Sequence, residues 1–355
     1  METTYLHGWP EPVVPVQILS NSGMQTVPQQ YIKPPFERPD MGSIIGTNDP
    51  KLSIPVIDLA GFDDNPEHRQ VVLAAVADAC RNWGFFHVVN HGVDLDAVKR
   101  MRGAWREFFD LPMEEKKVYA NSPATYEATG VGLELRKEQS WIGVTTTSST
   151  SYQNLEKWPK LPCNLREATE KYSCELVNLC EVLLKAISSS LGLEEDCLHR
   201  AFGGSDGIST CMRVNYYPKC PQPEVTLGLS SHSDPGGITL LLVDNHVTGT
   251  QVRKENTWLT VQPIPESFVV NVGDQIQIMS NGAYKSVEHR AMANSGADRL
   301  TIAFFCNPRG AACGPGVAGG PGISFNEYRK YVRTKGASGR AQVQALSIKL
   351  AAANN

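Results

Sequence analysis

The most constraining feature of this chain is a pair of residues, His232 and Asp234, separated by one position and followed much later by His289. Residues i and i+2 of an extended strand point to the same face, so the first two side chains can reach one metal ion. His289 must then arrive from a different strand. Two imidazoles and one carboxylate form the facial triad that holds non-haem Fe(II) and leaves coordination positions open. The spacing therefore predicts a catalytic metal centre with His232, Asp234 and His289 as its ligands.

The segment that leads to His289 is expected to consist of short strands. Its strand-like runs are 269–272, 276–279 and 284–289. Asn281-Gly282 separates the last two runs, and Asn-Gly between strand-like runs is a strong hairpin signal. We therefore expect His289 on the second strand of a hairpin.

The same two-residue step recurs at Arg299-x-Thr301 and Asn215-x-Tyr217, both within strand-like runs. A guanidinium with a hydroxyl beside it suits one end of a dicarboxylate, because the planar fork binds a carboxylate bidentately. A metal with open positions suits the other end if that end is a chelating 2-oxo acid. Each pattern alone is typical of a structural pair on a strand. Their order, within fewer than about a hundred residues, favours one shared site.

Further motifs are spread over nearly the whole chain. They are Ile54-Pro55-Val56-Ile57-Asp58-Leu59, Trp83-Gly84-Phe85-Phe86, Val89-Asn90-His91-Gly92, Asn215-Tyr216-Tyr217-Pro218, Gly273-Asp274, Ser280-Asn281-Gly282, His289-Arg290 and Arg299-x-Thr301. With His232-x-Asp234 they resemble the plant 2-oxoglutarate- and Fe(II)-dependent dioxygenases. Gly8-Trp9-Pro10-Glu11-Pro12 and Phe202-Gly203-Gly204 look most like the jasmonate-induced oxygenase branch of that family.

The resemblance implies a cosubstrate site next to the metal. It places the keto end of 2-oxoglutarate on Fe(II) and the far carboxylate on Arg299 and Thr301, while Tyr217 and Asn215 match positions that contact this cosubstrate. O2 is the other cosubstrate, and ascorbate is expected to support activity. The family usually has serine at position 301. Threonine also supplies a hydroxyl and favours strands, so we expect function to survive.

Helices followed by many short strands predict an α+β protein with a jelly-roll core. The resemblance implies a distorted double-stranded β-helix with a flanking helical layer. We expect residues 1–50 to wrap the surface and residues 51–355 to form one dioxygenase domain. Its parts are a helical region at 51–200, a metal-binding jelly roll at about 205–310 and a C-terminal helix at 325–350. Amphipathic helices are predicted at 66–82, 95–109 and 165–191.

Bulk properties narrow the class of protein. The formal net charge of −4 does not recommend a nucleic acid or an anionic membrane as partner, and no obligate protein partner is evident. No apolar run approaches the roughly 20 residues of a membrane span, and the first residues lack a secretory signal. The nine cysteines are scattered without a Cys-x-x-Cys pair, which argues against a disulfide framework or a thiolate zinc site. We expect a cytoplasmic protein that acts on a small molecule.

Several features bear on the substrate. Arg213 lies two residues before Asn215, so it should share the inward face and could pair with a substrate carboxylate. Phe305 continues the inward series of Arg299 and matches an aromatic pocket position. In the family, the strand at 138–150 borders the substrate cavity; here it carries small residues, which indicates a reshaped pocket or neutral drift on an edge strand. The loop at 314–322 also looks shorter than its family counterpart.

Our leading hypothesis is an oxygenase that hydroxylates, desaturates or cyclises a small, largely apolar plant metabolite such as an alkaloid, terpenoid or flavonoid. A jasmonate hydroxylase is the alternative that the branch resemblance favours. A catalytically silent ligand-binding protein on the same fold is a further alternative. A zinc hydrolase could use the same three ligands, but Arg299 has no obvious use in such an enzyme.

Overall fold

The computed structural model describes residues 15–40, 53–119 and 158–309, positions 325 and 328, and the backbone of residues 133–136 and 139–147. The predicted loop at 314–322 lies outside these ranges. Of the predicted C-terminal helix at 325–350, only Phe325 and Tyr328 are described, and both are helical. Among the described helices, none has the length and apolar composition needed to cross a bilayer.

The described residues form seven α-helices. They are α1 (Val16–Asn21), α2 (Pro66–Asn82), α3 (Leu95–Asp110), α4 (Met113–Lys117), α5 (Leu165–Ser190), α6 (Cys197–Ala201) and α7 (Asp274–Met279). The three long helices confirm the sequence prediction. α2 begins where the side chain of Asn65 accepts hydrogen bonds from the backbone N–H groups of Glu67 and His68. On this helix Val72 and Val76 are buried, whereas Val71 is exposed.

Two sheets form the α+β jelly-roll core that the sequence predicts. The strands are β1 (Val56–Asp58), β2 (Phe85–Val89), β3 (Leu133–Arg136), β4 (Gln139–Thr147), β5 (Ser209–Tyr217), β6 (Leu229–His232), β7 (Ile238–Leu242), β8 (Thr250–Lys254), β9 (Thr257–Thr260), β10 (Phe268–Val272), β11 (His289–Ala291) and β12 (Arg299–Asn307). The larger sheet has the order β1-β2-β10-β7-β12-β5-β4-β3, and the smaller has the order β6-β11-β8-β9.

Strand alternation separates the core from the site. On β12, Leu300, Ile302 and Phe304 pack into the cluster that contains the buried residues of α3 and α5. The alternate residues, Arg299 and Thr301, therefore lie on the opposite face of the larger sheet. One face of this sheet thus packs against the helices. The side chains on the other face are available to form a functional site.

The segment before His289 differs from the prediction. Residues 274–279 form helix α7 rather than a strand, and β11 begins only at His289. Asn281 and Gly282 both adopt positive φ, at 52° and 78°. The Asn-Gly pair indicates two successive residues in the left-handed backbone conformation. This conformation suits a hairpin turn, but it also occurs directly after the end of a helix. The sequence therefore predicted the turn at Asn281-Gly282 correctly, but the element before the turn is a helix and not the predicted strand.

Strand β4 does not lie at an edge. It sits between β5 and β3, with Gly143 paired with Asn215 and position 145 paired with Arg213. The expected position of this stretch at a sheet edge is therefore wrong. Strand β3, which ends at Arg136 just before β4 begins at Gln139, pairs with the side of β4 that faces away from β5.

The described part of the N-terminal segment, residues 15–40, is hydrogen-bonded to the rest of the protein. The backbone N–H of Lys33 donates to the carbonyl of Val225, and Thr226 Oγ1 donates to the carbonyl of Tyr31. At the other end of this segment, Gln17 is buried and its Nε2 donates to the carbonyl of Phe109. These bonds attach the segment to both the helical layer and the jelly roll.

A disulfide joins Cys180 on α5 to Cys306 on β12. The scattered cysteines had argued against a disulfide framework, and this bond between two described cysteines departs from that expectation. The two positions are 126 residues apart, so no local spacing could reveal the pair. The bond ties the helical layer directly to the strand that carries Arg299.

Candidate metal centre and cosubstrate site

The three predicted metal ligands come together at the smaller sheet. β6 and β11 are antiparallel neighbours, and His232 is directly opposite His289. Asp234 follows two residues after His232. Its Oδ1 lies 3.7 Å from Nε2 of His232 and 3.6 Å from Nε2 of His289. One potential ligand atom from each residue lies within 4.8 Å of the others, which suits a single ion between them.

Backbone carbonyls fix the orientation of both imidazoles. Nδ1 of His232 lies 2.9 Å from the carbonyl of Ser230, and Nδ1 of His289 lies 3.2 Å from the carbonyl of Val287. A carbonyl can only accept, so each Nδ1 must carry the proton and donate it. Each Nε2 then presents its lone pair towards Asp234, which is the tautomer that a metal ligand needs.

Two hydrogen bonds fix the orientation of the Asp234 carboxylate. Thr239 Oγ1 donates to its Oδ2 at 2.6 Å, and Asn271 Nδ2 donates to the same oxygen at 2.8 Å. Burial alone would raise the pKa of Asp234, but the two neighbouring histidines and these hydrogen bonds outweigh burial and lower it. The carboxylate is therefore ionised, with Oδ1 directed at the histidines.

His232 is held neutral by its surroundings. Burial, together with His289, lowers the pKa of His232 to about 3. A neutral imidazole can coordinate a cation without first losing a proton. The side chains of the three residues are nevertheless 19%, 6% and 13% exposed for His232, Asp234 and His289, so one side of the site stays accessible to ligands.

The predicted cosubstrate residues form a second group on the larger sheet. Arg299 is opposite Tyr217 and Thr301 is opposite Asn215 on the paired strands β12 and β5. The guanidinium of Arg299 stacks on the Tyr217 ring, with its central carbon 4.1 Å from the ring centroid. Asn215 Nδ2 donates to Thr301 Oγ1 at 3.4 Å. All of these side chains are buried.

Two buried polar atoms of this group have no hydrogen-bond partner among the described residues: Nε of Arg299 and Oδ1 of Asn215. The other end of the guanidinium donates from Nη2 to the carbonyl of Met292 at 3.2 Å. Burial lowers the pKa of Arg299, and in this part of the chain no carboxylate forms an ion pair with it. A buried guanidinium without a counter-ion fits a bound dicarboxylate, as the sequence predicts.

Two family models match the chain. The model of the 2OG-Fe(II) oxygenase superfamily matches residues 208–308, and the model described as the N-terminal region of a non-haem dioxygenase in morphine synthesis matches residues 54–161. The chain belongs to the 2OG-Fe(II) oxygenase superfamily.

Individual related proteins support the assignment to this superfamily. The chain is 47% identical to Jasmonate-induced oxygenase 4 of Arabidopsis thaliana, across 96% of this chain and 98% of the relative. It is 40% identical to Flavanone 3-dioxygenase 2 of Oryza sativa subsp. japonica, across 82% of this chain and 83% of the relative. A crystal structure of JOX2 in complex with 2OG, Fe and JA superposes with a TM-score of 0.83 at 43% identity, covering 95% of this chain and 98% of that one.

The chain is therefore a 2-oxoglutarate-dependent oxygenase that uses Fe(II) and O2. Family membership removes the zinc-hydrolase and silent-binder alternatives. When bound, the ferrous ion and 2-oxoglutarate supply the oxidising chemistry, and the protein supplies position, charge and exclusion of water. The metal-ligand tautomers, the ionised Asp234 and the uncompensated Arg299 all fit these two groups.

The two predicted substrate residues also lie on the metal-facing side. Arg213 is on β5, opposite Ala303 of β12, and Phe305 is opposite Thr239 of β7. The positive charge of Arg213 is among the causes that lower the pKa of His232, which places this cation within electrostatic range of the metal site. Both side chains are half-buried, so part of each remains accessible.

Sequence reasoning missed the residues that support the site. Thr239 and Asn271 hold Asp234, yet neither belongs to a motif that signals this role. Gly249 lies against Arg299: a Cβ there would come within 2.7 Å of Nε. Gly228 is packed in the same way against the Tyr217 ring, with a Cβ position 2.7 Å from Cδ1. The only available signal was the presence of these glycines in strand-rich sequence, where glycine often marks a close approach.

Proposed function

We propose that this chain oxidises jasmonate, using His232, Asp234 and His289 to hold Fe(II). In this proposal Arg299, Thr301, Tyr217 and Asn215 form the 2-oxoglutarate site. The observation that carries the choice of substrate is a cation, Arg213, beside the metal ligands in a chain related to jasmonate-induced oxygenases along nearly its full length. This reverses the order of our two sequence-based hypotheses.

The chemistry of the pocket supports an acidic substrate with an apolar body. Arg213 shares the inward face of β5 with Asn215 and Tyr217, so its charge lies on the side where the substrate must enter. On β12, Ala303 and Phe305 continue the same face with apolar surface. A carboxylate on Arg213 would hold one end of the substrate and leave its carbon chain towards the metal ligands.

The test compares an acid with its neutral ester. Arg213→Ala is expected to lower kcat/KM for jasmonic acid by about 100-fold, since it removes a charge-assisted hydrogen bond in a buried site, and to change kcat/KM for methyl jasmonate little. Arg213→Lys keeps the charge and should recover part of the activity. Product is measured as a mass increase of one oxygen, together with succinate. Equal losses for acid and ester would remove the proposed role of Arg213.

A flavonoid or another neutral specialised metabolite is the second candidate, and strand β4 favours it. Its residues Gly143 and Thr145 are paired with Asn215 and Arg213, and small residues at these positions favour a bulkier substrate. A panel that contains jasmonic acid and a flavanone separates the candidates. Turnover of the flavanone without turnover of jasmonic acid would establish this second function instead.

We also infer that residues 51–355 act as one catalytic domain. A continuous buried cluster runs from Ile57 on β1 to Cys306 on β12 and includes residues of α2, α3 and α5. Because the helical region shares its core with the jelly roll, limited proteolysis should not release a stable helical fragment.

A further inference from the structure

A cavity of about 420 Å³ lies on the opposite side of the larger sheet from the metal centre. Leu242 of β7 and Phe268 of β10 form part of its wall, and both belong to the core cluster beneath the helices. The adjacent residues Leu241 and Val269 pack into a different cluster on the metal-facing side. The volume of the cavity falls within the 300–1,000 Å³ that is typical of small-molecule sites.

One face of α3 forms the other wall. Leu95, Val98 and Arg102 line the cavity at the three- and four-residue steps that place side chains on one helix face, and Gly103 also lines it. Leu95 and Val98, together with Phe268 across the cavity, make this wall largely apolar. The cavity is therefore a largely apolar cleft whose lining includes three cations of α3, Lys99, Arg102 and Arg106. Lys99 forms an ion pair with Asp96 at 3.6 Å, and Arg106 forms one with Asp298 at 2.8 Å.

Arg102 carries a positive charge that no described residue neutralises directly. Its guanidinium donates to the carbonyl of Val243 at 3.0 Å and to Oδ1 of Asn245 at 3.3 Å, both neutral groups. The nearest described carboxylate that affects it, Asp244, is in an ion pair with Arg106 at 3.6 Å. Burial lowers the pKa of Arg102, as expected for a cation without a close counter-ion.

Gly103 is an exposed residue in the wall of the cleft. It lies in the interior of α3, where glycine costs roughly 0.5–1 kcal/mol relative to alanine. A Cβ at this position would meet no atom within 4 Å, so close packing does not require the glycine. The missing side chain leaves free space beside Arg102.

We propose that this cleft is a second ligand site that binds a small amphipathic carboxylate. The carboxylate would accept hydrogen bonds from Arg102, and the apolar part would lie along Leu95, Val98 and Phe268. A single uncompensated cation suits a monoanion better than a phosphate dianion, and the exposed carboxylate of Glu266 at the rim disfavours additional negative charge. The site is independent of the substrate proposed for the metal centre.

The proposal is tested by calorimetric titration of the enzyme loaded with Mn(II) and 2-oxoglutarate. The probes are 4-phenylbutyrate and its neutral analogue 4-phenylbutan-1-ol. The acid is expected to bind at least about tenfold more tightly than the alcohol, because only the acid can pair with Arg102. Arg102→Met and Gly103→Phe, which fills the cleft, should each weaken acid binding by at least about tenfold. Arg102→Lys should retain binding.

Arg100→Met is the matched control, since it removes an arginine from the same helix outside the cleft. It should bind the acid as the wild type does. Thermal unfolding checks that each variant is folded. If Arg102→Met does not fold, the binding of the acid to Gly103→Phe is the test of the site. Absence of acid binding to the wild type, or undiminished binding to folded Gly103→Phe, would overturn the proposal. Because the readout is heat of binding, neither result depends on which substrate the metal centre oxidises.

Discussion

The guanidinium of Arg299 lies over the ring of Tyr217, with its central carbon 4.1 Å from the ring centroid. Gly249 lies against the guanidinium and Gly228 lies against the ring, and in each case a Cβ would approach to 2.7 Å. The stack is thus enclosed by two residues that have no side chain. The position of the guanidinium depends on close backbone approach as much as on the arginine itself.

Gly249→Ala should therefore weaken the binding of 2-oxoglutarate. The new methyl group must displace Nε and Cζ of Arg299, because both would lie less than 3.0 Å away. We expect KM for 2-oxoglutarate to rise by about tenfold or more, with a smaller effect on kcat, since the reacting end of the cosubstrate lies at the metal. Steady-state succinate formation measures both constants.

Gly296→Ala is the control for this prediction, because a Cβ there meets only Asn294 Oδ1, at an ordinary 3.5 Å. Its KM for 2-oxoglutarate should equal that of the wild type. An unchanged KM in Gly249→Ala would show that the guanidinium does not need this close packing.

Thr239→Val tests the support of the metal-binding carboxylate. Valine has nearly the shape of threonine but cannot donate to Oδ2 of Asp234, which would then keep only the hydrogen bond from Asn271. Loss of such a supporting bond typically lowers metal affinity by about 10- to 100-fold. Anaerobic titration with Fe(II) in the presence of 2-oxoglutarate, followed by its visible absorption, measures the change.

The matched control is Thr257→Val on the exposed side of β9, which should bind Fe(II) as the wild type does. If Thr239→Val also keeps full affinity, Asn271 alone is sufficient to orient the carboxylate.

Lys116 should make folding stability depend on pH. It is buried and donates to Oε1 of Gln17 and to the carbonyl of Phe109, without a carboxylate partner. Burial lowers its pKa from 10.5 to about 8. The folded state therefore releases this proton at lower pH than the unfolded state, and stability rises as pH increases from about 8 towards 10.5.

Denaturant unfolding of the wild type and of Lys116→Met at pH 7.5 and 9.5 measures this effect. The free energy of unfolding of the wild type, relative to the variant, should increase by on the order of 2 kcal/mol across this range. Lys117→Met, at the next position of α4, controls for loss of a lysine from the same helix. A constant difference between wild type and Lys116→Met would contradict the prediction.

The Cys180–Cys306 bond should stabilise the protein under oxidising conditions. It closes a long loop, and cross-links of this kind typically contribute about 2–4 kcal/mol. Reductant should lower the melting temperature of the wild type and have no further effect on a Cys180→Ala, Cys306→Ala variant. The denatured wild type should also gain two titratable thiols on reduction. If reductant shifts neither the melting temperature nor the thiol titre, the pair is not bonded in the isolated protein.

The metal ligands and the residues predicted to bind 2-oxoglutarate could be predicted from the sequence because their spacing determines which way their side chains point. His232 and Asp234, like Arg299 and Thr301, are two residues apart, and a strand turns that step into a shared face. The long helices were equally predictable, since their apolar periodicity reports a buried stripe and Asn65 marks a start. Each of these features depends on neighbours along the chain.

Tertiary structure decided what depends on distant residues. Thr239 and Asn271 support Asp234, Gly249 makes room for Arg299, and Cys180 meets Cys306, although no motif connects these positions. The residues at 274–279 became a helix despite a strand-like pattern, because a short apolar run does not distinguish the two and its surroundings set the outcome. Local periodicity fixes which way a side chain points, whereas only the assembled sheets determine what it meets.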